Sequence, residues 1–468
     1  MRNRVLLIWP WSEQQQRTHE LFPVGLGYLL NGIDRSRYEV SLLDCALGDV
    51  PPNSERFREE VLAFRPDVVG VSWWSLNTPV VEETLGVSRQ LLPGAVLVIG
   101  GPHATACGRH ILRHGRVDYA FAGEAELSFP QFLDIIARGG RRPDPRELEK
   151  VPGLIYAEDG RVRSVPPART ADLDALGAVD YRRLELGEYH KRAYYYGNKL
   201  CKDARLTAPI VTTRGCPYQC RFCMASRMNG TRVRKHSVRY VVDAVQMLYH
   251  DFGVRHVTIA DDNFTFDIPW AEAVCEAICG LKLRDLALST PNGIRMERMT
   301  ESLAAAMYRA GWREVMIAPE SGSARTLRAM NKRLDLALVP RVTAMLHRAG
   351  MKVTAFFVIG FPEETLEDLA LTEKMILEND FDFVSLSVFQ PLPGSRIFDQ
   401  LIAERLIPAG FVPGHYQEVT CRPRYLDKAA VCDAYNRIWN AFRERKGLPI
   451  RNRSVATARE SDVVSSMA

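Results

Sequence analysis

No stretch of eighteen consecutive apolar residues occurs in the 468-residue chain, so no membrane-spanning helix is expected. Cysteine is sparse. Ten residues in 468 are too few for a disulfide framework, and a chain of this length buries enough surface to fold without one. A concentrated basic stripe is missing as well: 61 Lys and Arg stand against 56 Asp and Glu, a net charge of +5, which offers nothing for nucleic acid. Arg2 and Arg4 precede only the short apolar run from Val5 to Trp9, which reads as a buried strand rather than a signal peptide. These absences leave a reduced, cytoplasmic enzyme of several domains as the expectation. Its 46% hydrophobic and 25% charged residues fit globular composition.

What is present is concentrated in one loop, Arg214-Gly-Cys-Pro-Tyr-Gln-Cys-Arg-Phe-Cys-Met224. Cys216, Cys220 and Cys223 are spaced to hold three corners of an iron–sulfur cube, and no fourth Cys follows at ligand spacing, the next being Cys275. An open position on a metal is where substrate chemistry takes place. A structural zinc site would want four ligands, and only the distant His236 offers itself. Cys275 and Cys279 lie four apart in an apolar helical pattern and read as buried thiols rather than ligands of a second cluster. The triplet, with the aromatic Phe222 before its last Cys, resembles the signature of the radical S-adenosylmethionine (SAM) superfamily. That resemblance implies a [4Fe–4S] cluster whose open iron is chelated by SAM, and cleavage of SAM to a 5′-deoxyadenosyl radical.

Hydrophobic periodicity divides the chain into two alternating strand–helix regions joined by a different kind of segment. Residues 1–140 predict strands at 5–9, 40–43, 68–72, 96–99 and 119–122 with amphipathic helices between them, hence a doubly wound parallel α/β sheet, Rossmann-like. Residues 141–205 are proline-broken, then acidic and aromatic; a hairpin is expected around Glu158-Asp-Gly160, and the segment should pack between domains. Tyrosines 194–196 could line a substrate entrance but fit an interdomain surface better. From 206 to 400 six strand–helix repeats, with strands at 210–213, 257–260, 287–290, 315–318, 353–359 and 383–389, predict a parallel (β/α)6 partial TIM barrel. Residues 401–468 read as a small α-rich C-terminal cap over the barrel mouth, followed by a polar tail without structure.

Ligands of such sheets bind at the carboxyl ends of the strands. In the front region those ends carry Pro10-Trp11, Ser72-Trp-Trp-Ser75, Gly100-Gly-Pro-His103 and Gly123-Glu124. With Phe22-Pro-Val-Gly-Leu-Gly-Tyr-Leu29 and Asp118-Tyr-Ala-Phe-Ala-Gly-Glu124, they resemble the cobalamin-binding domain that precedes many radical SAM domains. The resemblance implies cobalamin contacts at Pro10, Gly25, Ser72, Ser75, Gly100, Gly101, His103, Gly123 and Glu124. The D-x-H-x-x-G motif that supplies a cobalt ligand in another cobalamin family is absent, so cobalamin is expected without a protein His on cobalt, and His103 reads as a contact or turn-stabilising residue.

Polar groups also stand at the strand ends of the second region: Asp261-Asp-Asn263, Asn292 with Arg295, Glu320-Ser-Gly322 and Gly360-Phe-Pro-Glu363. Carboxylates suit the SAM ammonium or ribose hydroxyls, an Arg suits its carboxylate, and a Gly leaves room for adenine. By resemblance Phe222, Asp261, Asp262, Asn292, Arg295, Glu320, Ser321 and Gly360 are the expected SAM contacts; Lys332 and Arg214 are further candidates, and no catalytic residue is assigned. Taken singly, several of these also suit loop or helix-cap roles.

The whole resembles a cobalamin-dependent radical SAM enzyme, by family weight a C-methyltransferase acting on an unactivated carbon of a small molecule. It would draw on an electron donor such as a flavodoxin or ferredoxin. The alternatives are a related enzyme that cyclises, contracts a ring or oxidises without net methylation and, in a different class, a non-catalytic cobalamin or iron–sulfur sensor. A methylthiotransferase would want three more cluster cysteines in the front region, where only Cys45 and Cys107 stand.

Overall fold

A computed structural model describes residues 3–12, 22–192 and 206–450. The tyrosines at 194–196, Cys201 and the tail expected after 456 lie outside the described residues.

The front sheet has seven strands: β1 (Asn3–Trp9), β2 (Tyr38–Asp44), β3 (Val68–Ser72), β4 (Val96–Gly100), β5 (Tyr119–Phe121), β6 (Leu154–Glu158) and β7 (Arg161–Ser164). Their order is β2-β1-β3-β4-β5-β6-β7. The first five pair in parallel and form the expected doubly wound core; the Val, Leu and Ile runs of the inner strands β1, β3 and β4 are buried on both faces, as strands covered by helices must be. The hairpin expected near residue 160 exists, and it adds β6 and β7 antiparallel to β5. The sheet thus runs on past residue 140. Order reverses between β2-β1 and β3-β4, so the crevice for a ligand opens at the carboxyl ends of β1 and β3, after Trp9 and Ser72.

The second region starts at β8 (Thr207–Ile210), followed by a two-stranded ribbon of β9 (Thr213–Arg214) and β10 (Arg234–Lys235). Then come β11 (His256–Ile259), β12 (Ala287–Ser289), β13 (Glu314–Glu320), β14 (Lys352–Ile359) and β15 (Phe383–Val388). β8, β11 and β12 form one parallel triplet and β13, β14 and β15 another; the bridges Leu288–Trp312 and Ile294–Ile317 join them. This is the six-stranded partial barrel. Ser, Thr or Asp caps start its helices: Ser237, Asp267, Thr300, Ser323 and Thr365 each accept a backbone N–H of the first turn.

The first barrel strand ends three residues before the expected 213. Asp261 explains the difference: it takes the backbone N–H groups of Thr212 and Thr213 and so bends the chain out of the sheet. The α-rich C-terminal cap is present as helix Lys428–Arg445, but it does not cover the barrel mouth. It lies along the outer flank, with Trp439 edge-on to Phe383 at 5.9 Å and Arg437 paired with Glu373. The C-terminal chain that reaches the upper rim is irregular: Tyr416 accepts the Val388 N–H, and Gln390 is bonded to His415, Glu418 and Thr420. Leu173, Leu176, Val179, Tyr181 and Leu184 of the joining segment belong to one apolar core shared with the front sheet and the barrel, so the segment packs between the two.

Candidate functional site

The Cys loop leaves β9 and returns at β10. Gly215 makes the departure possible. Its φ of 101° is left-handed, and a Cβ there would stand 2.3 Å from the Arg232 carbonyl oxygen. Cys216 N–H donates to Gly230 O at 3.0 Å, and Asp262 receives both the Gly215 N–H (3.1 Å) and Asn229 Nδ2 (2.8 Å). On the far side Asn331 Nδ2 donates to Gln219 O at 2.8 Å and Arg221 N to Met330 O at 2.9 Å. Every flank of the triplet is therefore tied to the barrel. Burial raises the three thiols above the ordinary cysteine value, Cys223 to about 12, so iron must displace protons when it binds. Among the described residues no three His, Cys, Asp or Glu side chains converge on a single ion. Thiolates on three different corners of a cube do not need to.

Around this loop the expected SAM contacts separate into two kinds. Asp261 is one whose carboxylate is already committed: it accepts Thr212 N (2.6 Å), Thr212 Oγ1 (2.5 Å), Thr213 N (3.0 Å) and Thr213 Oγ1 (2.9 Å). Burial pushes its pKa up to about 6 despite those donors. Asp262 holds the Cys loop, as described, and Asn292 lashes two strand ends together through Ala260 O and Asp261 O. Ser321 bonds Thr372 Oγ1 and the Ser323 N–H. Phe222 packs against an apolar group that includes Leu327, Phe361 and Phe389. The space expected beside Gly360 is taken, because a Cβ there would lie 3.1 Å from Val431 of the C-terminal helix.

Arg295 and Glu320 are only partly committed. The Arg295 guanidinium stacks on Tyr218, inside the Cys loop, at 3.8 Å and pairs with Glu297 at 3.0 Å. Its buried Nε has no partner, an orphaned donor that fits an anionic ligand. Glu320 sits at a bulge with φ 66° and receives Lys332 Nζ at 2.7 Å. Asn263 was present in the sequence motif but not singled out; it is 1% exposed, and both of its amide atoms lack partners.

A cavity of about 450 Å³ separates the two regions. Gly25, Ser72, Trp74, Gly100, Gly101, Gly123 and Glu124 line it from the front sheet, and Arg214, Asp262 and Asn292 from the barrel. Nothing stands within 4 Å of a Cβ placed on Gly25 or Gly100, so side chains there would project into open space that a large planar ligand can fill. The buried Trp9 Nε1 on the same wall lacks a partner. The glycine cradle suits a corrin macrocycle.

Pro10, Ser75 and His103 are not among the cavity's lining residues. His103 stacks on Trp73 at 4.8 Å, and its Nδ1 lies 3.0 Å from Ser75 Oγ. Burial lowers its pKa to about 4, which leaves a neutral ring fastening a turn. Glu124 reaches the cavity wall but is grasped by Arg234, Nη1 to Oε2 at 2.9 Å and Nη2 to Oε1. Arg214, 4.9 Å over the Tyr28 ring, pairs with Glu126 at 2.6 Å. These two buried pairs fasten the front sheet to the barrel. Periodicity could not reveal them, because they join residues 110 and 88 positions apart.

Comparison with known proteins agrees with this geometry. A model of the B12 binding domain matches residues 16–133, and the radical SAM superfamily model matches residues 210–376. An uncharacterized methyltransferase of Pyrococcus horikoshii is 27% identical over 387 residues, 82% of this chain and 79% of its own. Cytidylyl-2-hydroxyethylphosphonate methyltransferase of Streptomyces wedmorensis is 26% identical over 477 residues, 92% and 88% respectively. The radical SAM methyltransferase TsrM of Kitasatospora setae, solved with tryptophan and a SAM analogue, has the same fold: TM-score 0.71 at 19% identity, covering 86% of this chain and 76% of that one. The chain belongs to the radical SAM superfamily and carries a B12 binding domain ahead of its radical SAM domain, which makes it a cobalamin-dependent radical SAM enzyme. Its cofactors are a [4Fe–4S] cluster, SAM and cobalamin.

Proposed function

We propose that the protein is a C-methyltransferase that acts on an unactivated carbon of a small molecule. One juxtaposition carries the reading: a single cavity is lined by Trp74, Gly100 and Gly101 from the cobalamin side and by Asp262 and Asn292 beside the Cys loop. When bound, the cluster with SAM supplies a radical able to take hydrogen from a C–H bond, and cobalamin supplies a methyl group to the carbon so exposed. Cys216, Cys220 and Cys223 hold the cluster. Arg295 offers its unpartnered Nε to the SAM carboxylate, and Glu320 and Asn263 face the polar remainder of SAM. Gly25, Gly100 and Gly101 let the corrin approach the backbone. Asp261 and Asp262 shape the Cys loop from behind.

The similarity to methyltransferases supports net methylation. The electron comes from a small carrier such as a flavodoxin or ferredoxin, in the cytoplasm. No helix among the described residues is long and apolar enough to cross a membrane. The test is anaerobic reconstitution with iron, sulfide and cobalamin, followed by SAM, reductant and extract of the producing cells. Release of 5′-deoxyadenosine with a product heavier by one methylene is expected. A product of unchanged carbon count would reassign the enzyme to cyclisation, ring contraction or oxidation. No 5′-deoxyadenosine at all would return it to a sensor.

A further inference from the structure

Cys220 rests on a strut from the other half of the barrel. Helix Ala324–Ala329 ends there, and the chain turns through Asn331 with φ 52°. Three hydrogen bonds bracket Cys220 on both sides: Asn331 Nδ2 to Gln219 O at 2.8 Å, Arg221 N to Met330 O at 2.9 Å, and Arg221 Nη1 to Ala329 O at 2.6 Å. Lys332 follows and turns inward. Its side chain is 5% exposed, and its Nζ lies 2.7 Å from Oε1 of Glu320, whose side chain is 11% exposed.

This arrangement is costly. Glu320 holds a left-handed φ of 66° that a non-glycine residue adopts only under constraint. A buried ion pair also pays a desolvation penalty that well-packed apolar residues would avoid. The pair therefore calls for a reason other than stability. Lys332 directly follows Asn331, whose side chain clamps Gln219 next to Cys220, so the pair stands on the Cys220 side of the loop.

We infer that Lys332 and Glu320 form a charge-balancing pair that sets the reduction potential of the cluster bound through Cys220; the inference rests on the reading of the triplet as cluster ligands. Reduction adds one electron and one negative charge to the cluster. A neighbouring cation favours that state and a neighbouring anion disfavours it, more strongly inside the protein than in water. In contact, the two fields largely cancel. Removing either partner exposes the other.

The test is a one-electron titration with dithionite, followed by the EPR signal of the reduced cluster, on reconstituted full-length protein without SAM. Lys332→Met should make the cluster harder to reduce and Glu320→Gln easier. The double variant should return close to the wild-type midpoint, and Lys332→Arg should stay there. Opposite shifts that cancel are an electrostatic signature that loosened packing does not produce. Should Lys332→Met fail to fold, Glu320→Gln and the double variant decide the matter through the same two comparisons. Shifts in one direction only, or none with the cluster intact, would overturn the inference. A wild-type protein that takes up no cluster would instead overturn the reading beneath it.

Discussion

At the scale of single residues, the site consists of side chains kept free for ligands and side chains spent on shaping the loops. Cys216, Cys220 and Cys223 are of the first sort. Replacing any one with Ala should abolish 5′-deoxyadenosine formation while circular dichroism still reports a folded chain, because in the proposed reading these thiols bind the cluster rather than fill the core. Full SAM cleavage by the triple variant would sink the assignment. Glu364 is of the second sort. Its Oε2 accepts the N–H groups of Gly360 and Phe361 at 2.6 and 3.3 Å, its Oε1 is buried without a partner, and burial raises its pKa to about 8. The folded state therefore keeps a proton that the unfolded chain gives up above the ordinary carboxylate range. This contribution is complete below that range and is lost as pH rises toward about 8. Melting temperature should fall across that window in the wild type, and Glu364→Gln should flatten the profile; an unchanged slope would refute the assignment.

At the scale of elements, the limiting piece is the turn that launches the Cys loop. Gly215→Ala must relieve both a left-handed φ and a Cβ placed 2.3 Å from Arg232 O, at a strain cost of about 1–3 kcal/mol. The loop should shift, and iron content after reconstitution should fall well below one cluster per chain while cobalamin binding stays normal. Equal iron content would mean the loop tolerates the change. Legibility in the sequence followed the range of the forces involved. The strand–helix alternation that places helices such as Glu301–Ala310 and Leu366–Glu378 is legible, because periodicity and Thr caps are local signals. The end of β8 was not, because it is set by Asp261, some fifty positions away. The same holds within the site. The Cys triplet is local and was read directly, whereas the commitment of Asp261, Ser321 and Glu124 to protein partners appears only once distant strands meet. The flank position of the last helix depends likewise on Phe383 and Glu373, which chain order does not disclose.

At the scale of the whole molecule, methyl transfer requires the cobalamin face of the front sheet to stay opposite the Cys loop. The buried pairs Glu124–Arg234 and Glu126–Arg214 are what hold it there. Arg234 also donates to Thr170 O at 2.9 Å, so the joining segment is bound into the same clamp. Removing one partner leaves a buried charge uncompensated, which costs about 3–5 kcal/mol, while removing both costs less. Glu124→Ala should therefore loosen the docking more than Glu124→Ala combined with Arg234→Ala, and limited proteolysis of the joining segment should rank the variants in that order. The Cys triplet lies within the barrel, so the cluster should still bind; Glu124 also lines the cavity between the two halves, so cobalamin content is measured alongside. SAM cleavage needs only the barrel and should persist in Glu124→Ala, whereas methylated product needs both halves in register and should drop by at least tenfold. A variant that loses cleavage and methylation in equal proportion would show that the clamp shapes the barrel itself rather than aligning the two halves.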